Sequence, residues 1–352
     1  MTITGVCYCT RGEVKTALDI KESARVNDQV DRALAGARDS VETLCNRKFF
    51  PSAGTRVFDW PDRSRPYPWR LWLNQHEAIS ISALVSGGVA IPAGQFFLEP
   101  ANEGPPFTRI DLNRSAAAAW TAGSTPQHAI AATGVFGFRA DTAPAGALAA
   151  AMADTTGTAL AVTDGSRAGA GSSLLVDSER MLVTDTAMIT TGQSQQGAGA
   201  ATAVASDVAL TVTDATKYAV GEVLLLDSER MRVVDIAGNV LTVKRAWDGT
   251  VLATHAGATI FAPRLLTVMR GALGTTAATH LIASPAAVHV NPGLVWELSV
   301  AEAINLFLQE SSGYARTVGS GDNVRQASGA GLADLRARCV SAFGRKSRRR
   351  TV

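Results

Sequence analysis

Leu174-Leu-Val-Asp-Ser-Glu-Arg-Met181 returns fifty residues later as Leu224-Leu-Leu-Asp-Ser-Glu-Arg-Met231. A second motif is also duplicated. Leu241-Thr-Val-Lys-Arg245, followed by Gly249-Thr250 and Ala253-Thr-His255, recurs twenty-five residues on as Leu266-Thr-Val-Met-Arg270, Gly274-Thr275 and Ala278-Thr-His280. The order along the chain is therefore first half, first half, second half, second half. That order is nesting: one complete module, residues 198–263, sits inside another whose pieces are residues 158–197 and 264–290. Two copies are too few for a solenoid or propeller, which would also keep the halves in tandem.

Each copy supplies short apolar runs with Gly, Asp and Asn between them, the pattern of strands and turns. Ala159 to Thr163, Ser173 to Val176 and Arg180 to Val183 have counterparts at Ala209 to Thr213, Glu222 to Leu226 and Arg230 to Val234. Gly238-Asn239 is a two-residue hairpin signal. Gly192 to Gly199, rich in Gly, Gln and Ser, reads as a linker where one module opens to admit the other. The expectation is a pair of compact, β-barrel-like modules.

Upstream, residues 1–157 combine helices with a small antiparallel β region. Thr10-Arg-Gly-Glu13 has capping-box form. Val26, Val30, Ala33, Leu34, Ala37, Val41 and Leu44 form one helical stripe, which should stop before Pro51. Short strands follow at Arg56 to Trp60, Arg70 to Leu73, Ile79 to Val85, Gln95 to Glu99, Thr108 to Leu112 and Ile130 to Phe138, with Gly87-Gly88 as a tight turn. Ala143 to Met152 is alanine-rich and reads as the start of a helix. Downstream, residues 291–352 return to a helical period: Ser299-Val-Ala-Glu302 is a second capping-box pattern, and Leu332, Leu335, Cys339 and Phe343 mark a last helix. The expected fold class is α+β: a helical core from the N- and C-terminal segments, a small antiparallel sheet, and the inserted pair of β modules.

Net charge is +2, but the last seventeen residues hold Arg336, Arg338, Arg345, Lys346, Arg348, Arg349 and Arg350 with no acid, so the rest of the chain stands at −5. A basic tail of this kind suits DNA phosphate or an acidic protein surface, while the body is not a nucleic-acid-binding surface by composition. The four cysteines, Cys7, Cys9, Cys45 and Cys339, are dispersed, which fits a reducing compartment, and Cys7-x-Cys9 lacks the spacing of a zinc or redox motif. There is no basic region followed by an apolar run at the start and no stretch approaching a membrane span, so neither export by an ordinary signal nor a membrane partner is expected.

Asp177 and Glu179 with Asp227 and Glu229, joined by His255 and His280, are the one constellation that resembles a site. A paired-carboxylate hydrolase needs such acids across an open cleft, and a metal site needs several donors converging. The same residues at a strand-to-strand corner equally bracket the turn, Asp capping its amides and Glu pairing with the repeated Arg245 or Arg270. Turn brackets are favoured, because both copies keep the turn and its flanking strands together. Phosphate-loop, zinc-protease and nucleophile-elbow motifs are absent, so neither enzymatic activity nor a cofactor is expected.

Thr43-Leu-Cys-Asn-Arg-Lys-Phe-Phe50, the strand ending Thr133-Gly-Val-Phe-Gly-Phe138, the helix Ala301 to Gln309 and the closing helix with its Arg-rich tail resemble the head-to-tail connector (head-completion adaptor) proteins of long-tailed bacteriophages, particularly those of actinobacterial phages that carry a β insertion. The resemblance implies a structural virion protein. It would form a homo-oligomeric ring of about twelve copies, assembled in the host cytoplasm. In the virion the ring would dock beneath the portal protein and be followed by a head-completion or tail-terminator protein, with genome DNA passing through the lumen without sequence specificity. Arg345, Lys346, Arg348, Arg349 and Arg350 are then candidates for portal or DNA contact. A tail-associated hydrolase, or a cell-wall or glycan-binding module built on the repeat, is the alternative.

Overall fold

The computed structural model describes residues 3–18, 24–61, 67–197, 202–311, 317–318, 325–326 and 330–345. Contacts divide the chain into two compact units: residues 1–41, 142–272 and 276–341 form the first, and residues 42–141, 273–275 and 342–352 the second.

Helix α1 (Arg11–Leu18) starts at the expected capping box. Thr10 N–H donates to Glu13 Oε2 at 2.7 Å, and Glu13 N–H to Thr10 Oγ1 at 3.3 Å, so two otherwise unpaired amides are satisfied reciprocally. Helix α2 (Ala24–Cys45) buries Val30, Ala33, Leu34, Ala37 and Val41 along one stripe. Its stop is not set by Pro51. Asn46 takes the left-handed conformation (φ 49°) directly after Cys45, a helix-ending position that Asn tolerates.

In the second unit the expected single sheet is two. β1 (Ser52–Phe58), β2 (Arg70–Trp72), β3 (Ala78–Ser86), β4 (Val89–Ile91), β5 (Phe96–Glu99), β6 (Arg109–Leu112) and β7 (Ile130–Phe136) sort into a four-stranded sheet β1-β7-β3-β4 and a three-stranded sheet β2-β6-β5. Alternating residues such as Leu71, Leu84, Ile110, Ile130 and Phe136 meet in one core. Gly87 and Gly88, both at positive φ, turn β3 into β4. Phe49, Phe138 and Phe343 form an edge-to-face triangle with centroids 5.5 to 5.7 Å apart.

The first unit carries a ten-stranded antiparallel sheet. Its strands are β8 (Thr142–Ala147), β9 (Ala159–Ala161), β10 (Ser173–Val176), β11 (Glu179–Ser194), β12 (Ala209–Thr211), β13 (Val223–Leu226), β14 (Glu229–Ala237), β15 (Val240–Lys244), β16 (Thr259–Met269) and β17 (Pro285–His289). The order is β12-β15-β14-β13-β16-β11-β10-β17-β8, with β9 on β16. The two DSER hairpins have one register: Val176 pairs with Glu179 and Leu174 with Met181, as Leu226 pairs with Glu229 and Leu224 with Met231. Two cores result. Leu160, Leu174, Val176, Met181, Leu266 and Val268 meet in the outer one, and Leu210, Leu224, Leu226, Met231, Leu241 and Ile260 in the inner one.

This overturns the expected helical core. Among the described residues there are four α-helices, and the cores just described are built on strands. Nor are the modules separate barrels. β16 gives Ile260 and Ala262 to the inner core and Leu266 and Val268 to the outer, while β11 pairs with it over Leu182 to Ser194, so a two-stranded ribbon joins them. The expected linker is therefore strand at its start: Gln193 and Ser194 pair with Ile260 and Thr259 across a bulge, and residues 198–201 lie outside the described residues. Ala143 to Met152 begins as β8 rather than a helix, because pairing with β17 places Ala145, Leu148 and Met152 in the outer core.

Helix α3 (Gly293–Ser311) starts just after Pro292, six residues before Ser299. The second capping-box pattern is thus mid-helix, and both its side chains have long-range partners. Ser299 Oγ lies 3.3 Å from Cys9 Sγ, and Arg336 donates to both oxygens of Glu302 at 2.5 and 2.8 Å. Thr317–Val318 pairs with Arg325–Gln326 as the short strands β18 and β19, and helix α4 (Ala330–Phe343) buries Leu335 and Cys339.

Candidate functional site

The repeated acids meet the repeated Arg and His in two copies of one arrangement. In the inner copy Asp227 opens the β13–β14 turn at φ 51°, a left-handed position that Asp tolerates. Two residues on, Glu229 is fully buried. Arg245 donates to both its oxygens at 2.7 Å, the N–H groups of Ala246 and Ala253 donate at 3.0 and 2.9 Å, and His255 Nε2 lies 3.0 Å from Oε2. His255 Nδ1 faces Asp227 Oδ2 at 2.8 Å, so each ring nitrogen addresses a carboxylate. Arg245 spends its other hydrogens on the carbonyls of Thr202, Asp207 and Ala253.

The outer copy repeats this atom for atom. Asp177 has φ 51°; Glu179 takes Arg270 at 2.8 and 2.9 Å, the N–H groups of Gly271 and Ala278 at 2.8 and 2.9 Å, and His280 Nε2 at 2.9 Å. His280 Nδ1 lies 2.7 Å from Asp177 Oδ2. Burial pushes the carboxyl pKa up in both. The guanidinium, the two backbone N–H groups and the imidazole together outweigh it and hold Glu179 and Glu229 at about 2, against an ordinary 4.5.

Chemically these are closed clasps. Each Glu oxygen is already occupied by hydrogen-bond donors, and neither acid opens on a cleft where a glycosidic oxygen or water could reach it. Among the described residues no group of three or more His, Cys, Asp or Glu side chains is placed to hold a metal ion. Asp177 and Asp227 stay about half exposed and touch the His from outside.

Sequence reasoning missed a third buried pair. Arg264 donates to Glu222 at 2.7 and 2.9 Å and to Lys217 O at 2.5 Å, under the ring of Tyr218. The outer copy has Ser172 and His289 at the equivalent positions. The legible signal was that difference: opposite charges appear together in one copy only.

The basic end is smaller than its composition. Arg336 is held by Glu302, and Arg345 is partly buried beside Glu77, Nε to Oε1 at 3.3 Å, where Arg47 also pairs at 2.9 Å. Burial lowers the pKa of Arg345, Glu77 opposing and Arg47 reinforcing that shift. Arg345 is thus packed against the fold beside Glu77; Lys346, Arg348, Arg349 and Arg350 lie outside the described residues. All four cysteines are buried free thiols, and burial pushes Cys9 up to about 12, far from a reactive thiolate.

The first unit also has a cleft of about 1020 Å³. Thr10, Arg11, Lys15, Gly221, Arg232 and Trp247 are among its lining residues. Comparisons with protein-family models, characterised proteins and solved structures found no match. No helix among the described residues is long and apolar enough to cross a membrane.

Proposed function

We propose that this chain is a structural interaction protein, a ring-forming adaptor between the DNA-filled head and the tail of a long-tailed bacteriophage. The observation that carries the non-catalytic part is the saturation of Glu179 and Glu229: the acids that could have served a hydrolase are consumed in fixing two turns. The particular role rests on the resemblance of Thr43 to Phe50, Thr133 to Phe138 and Ala301 to Gln309 to head-to-tail connectors. Portal protein, a following head-completion or tail-terminator protein and further copies of the chain are the partners this role requires, with DNA in the lumen. The fold behind the role is β-rich rather than a helical bundle.

The test is a phage whose gene for this chain carries a nonsense codon, grown with and without a suppressor. The expected product without suppression is DNA-filled heads and free tails, joined on adding purified protein, which electron microscopy should show as rings of about twelve. Normal tailed particles without suppression would refute the proposal.

A further inference from the structure

The two repeat copies share a backbone but not a cover. On the outer copy the chain's own segment Cys7–Arg11 is laid against the turn before β10 and the bulge in β11. Cys7 N–H donates to Gly171 O at 2.8 Å and Arg11 N–H to Ala170 O at 3.0 Å. The Arg11 guanidinium reaches Thr184 O at 3.3 Å and Asp185 Oδ1 at 2.6 Å. The fit is close: a Cβ on Gly171 would stand 3.2 Å from Cys9 O.

Fifty residues on, the same acceptors are built again. Gly221 N–H donates to Val233 O at 2.8 Å as Gly171 N–H does to Val183 O. Ile236 N–H donates to Asp235 Oδ1 at 2.9 Å as Thr186 N–H does to Asp185 Oδ1, and both strands bulge at this point. Here the corresponding side chains are open to solvent. Ala170 is 3% exposed where Val220 is 57%, and Thr184 is 7% where Val234 is 54%. Among the described residues no backbone N–H donates to Val220 O or Gly221 O, and no cation is paired with Asp235. Gly221 and the adjoining Val223, Arg232 and Trp247 also line the cleft.

We infer that this uncovered face of the inner module is a docking site for a short, bent segment of a partner protein that curls into the start of a helix, as residues 7–11 do on the outer copy. The segment would donate two main-chain N–H groups, four residues apart, to Gly221 O and Val220 O and place the second residue's arginine on Asp235, as Cys7–Arg11 does on the outer copy. An arginine fits because one carboxylate waits there. A polybasic segment does not, because Leu182 of the outer face is replaced by Arg232, which lies with Lys244 over Trp247. The chain's own Arg-rich tail is therefore the wrong occupant.

The experiment titrates the full-length protein with a synthetic peptide of residues Gly5–Lys15 carrying Cys7→Ser and Cys9→Ser, followed by calorimetry and by backbone NMR. The expected result is one site, with shifts at Val220, Gly221 and Asp235. Binding should weaken at least tenfold in Asp235→Asn, in Val220→Asp, and with an Arg11→Ala peptide. Asp235→Asn keeps the oxygen that accepts from Ile236, so the fold is retained. No binding at millimolar peptide, or binding indifferent to both protein variants, overturns the inference. So does self-association of the protein that Val220→Asp abolishes, since a second copy would then be the occupant.

Discussion

Glu229→Gln isolates the inner clasp. Glutamine keeps the shape but removes the charge, and its amide must turn N–H donors toward Arg245 or a backbone N–H already pointing at that spot. The carboxyl is held at about 2 rather than 4.5. At roughly 1.4 kcal/mol per unit this corresponds to about 3 kcal/mol of preference for the charged form. Breaking a buried ion pair on one side costs about 3–5 kcal/mol in general, because the remaining charge stays buried. The two figures agree, so the variant should lose about 3 kcal/mol locally. Native-state hydrogen exchange reads such a loss by segment. Amides of β13 and β14 should exchange about a hundredfold faster, while those of β10, in the outer hairpin, change far less; Glu179→Gln should reverse the pattern. A loss below about 1 kcal/mol in both variants would sink the claim that the clasps fix the modules.

Acid should find the same groups. Because Glu179 and Glu229 are depressed in the folded state, the unfolded chain binds more protons between about 4.5 and 2; their contribution is complete above that window and is lost as pH falls through about 2. Urea midpoints that do not drop from pH 5 to pH 2.5, or that drop equally in the Glu179→Gln/Glu229→Gln double variant, would contradict this. Gly171→Ala should destabilise more than Gly221→Ala: both sit at positive φ (103° and 93°), but only the first Cβ meets Cys7 and Cys9. Equal losses by urea unfolding would deny that the two faces differ in cover. Phe49→Ala should cost the second unit about 3–5 kcal/mol, since Phe49 is fully buried between Phe138 and Phe343; unchanged exchange in β1 and β7 would count against it. In refolding, β13 and β14 should gain exchange protection before β10, because Arg245 and Glu229 are 16 residues apart whereas Arg270 and Glu179 are 91 apart. That difference is worth about 1.5 kcal/mol of loop-closure entropy, and protection in the opposite order would exclude it.

What was legible in the sequence was local. The capping box at Thr10, the hairpin at Gly238-Asn239 and the pairing of Glu179 and Glu229 with a repeated Arg each involve a motif whose parts identify one another, by spacing or by duplication. What was not legible depended on partners far along the chain. Gly192 to Ser194 has linker composition and becomes strand because β16 lies beside it. Ala143 to Ala147 has helix-like composition and becomes strand because β17 needs a neighbour. Ser299 and Glu302 match a cap pattern, but Cys9 and Arg336 claim them, and the apolar stripes on the helices gave no measure of how much β material they had to cover.

Duplication sharpens the distinction between scaffold and surface. Where the copies agree, at Asp-Ser-Glu, the left-handed Asp, the Arg and the His, the residues are locked to one another and serve the turn. Where they differ, the surroundings differ. Ser172 and His289 become the buried pair Glu222 and Arg264, and Leu182, buried at 2% exposure, becomes the partly buried Arg232. A leucine at that second place would leave an apolar patch facing solvent next to Val220 and Val234, whereas arginine stacked on Trp247 keeps the face soluble until a partner covers it. The internal copy thus acts as a control for its twin: the same backbone, once closed by the chain itself and once left with its acceptors open.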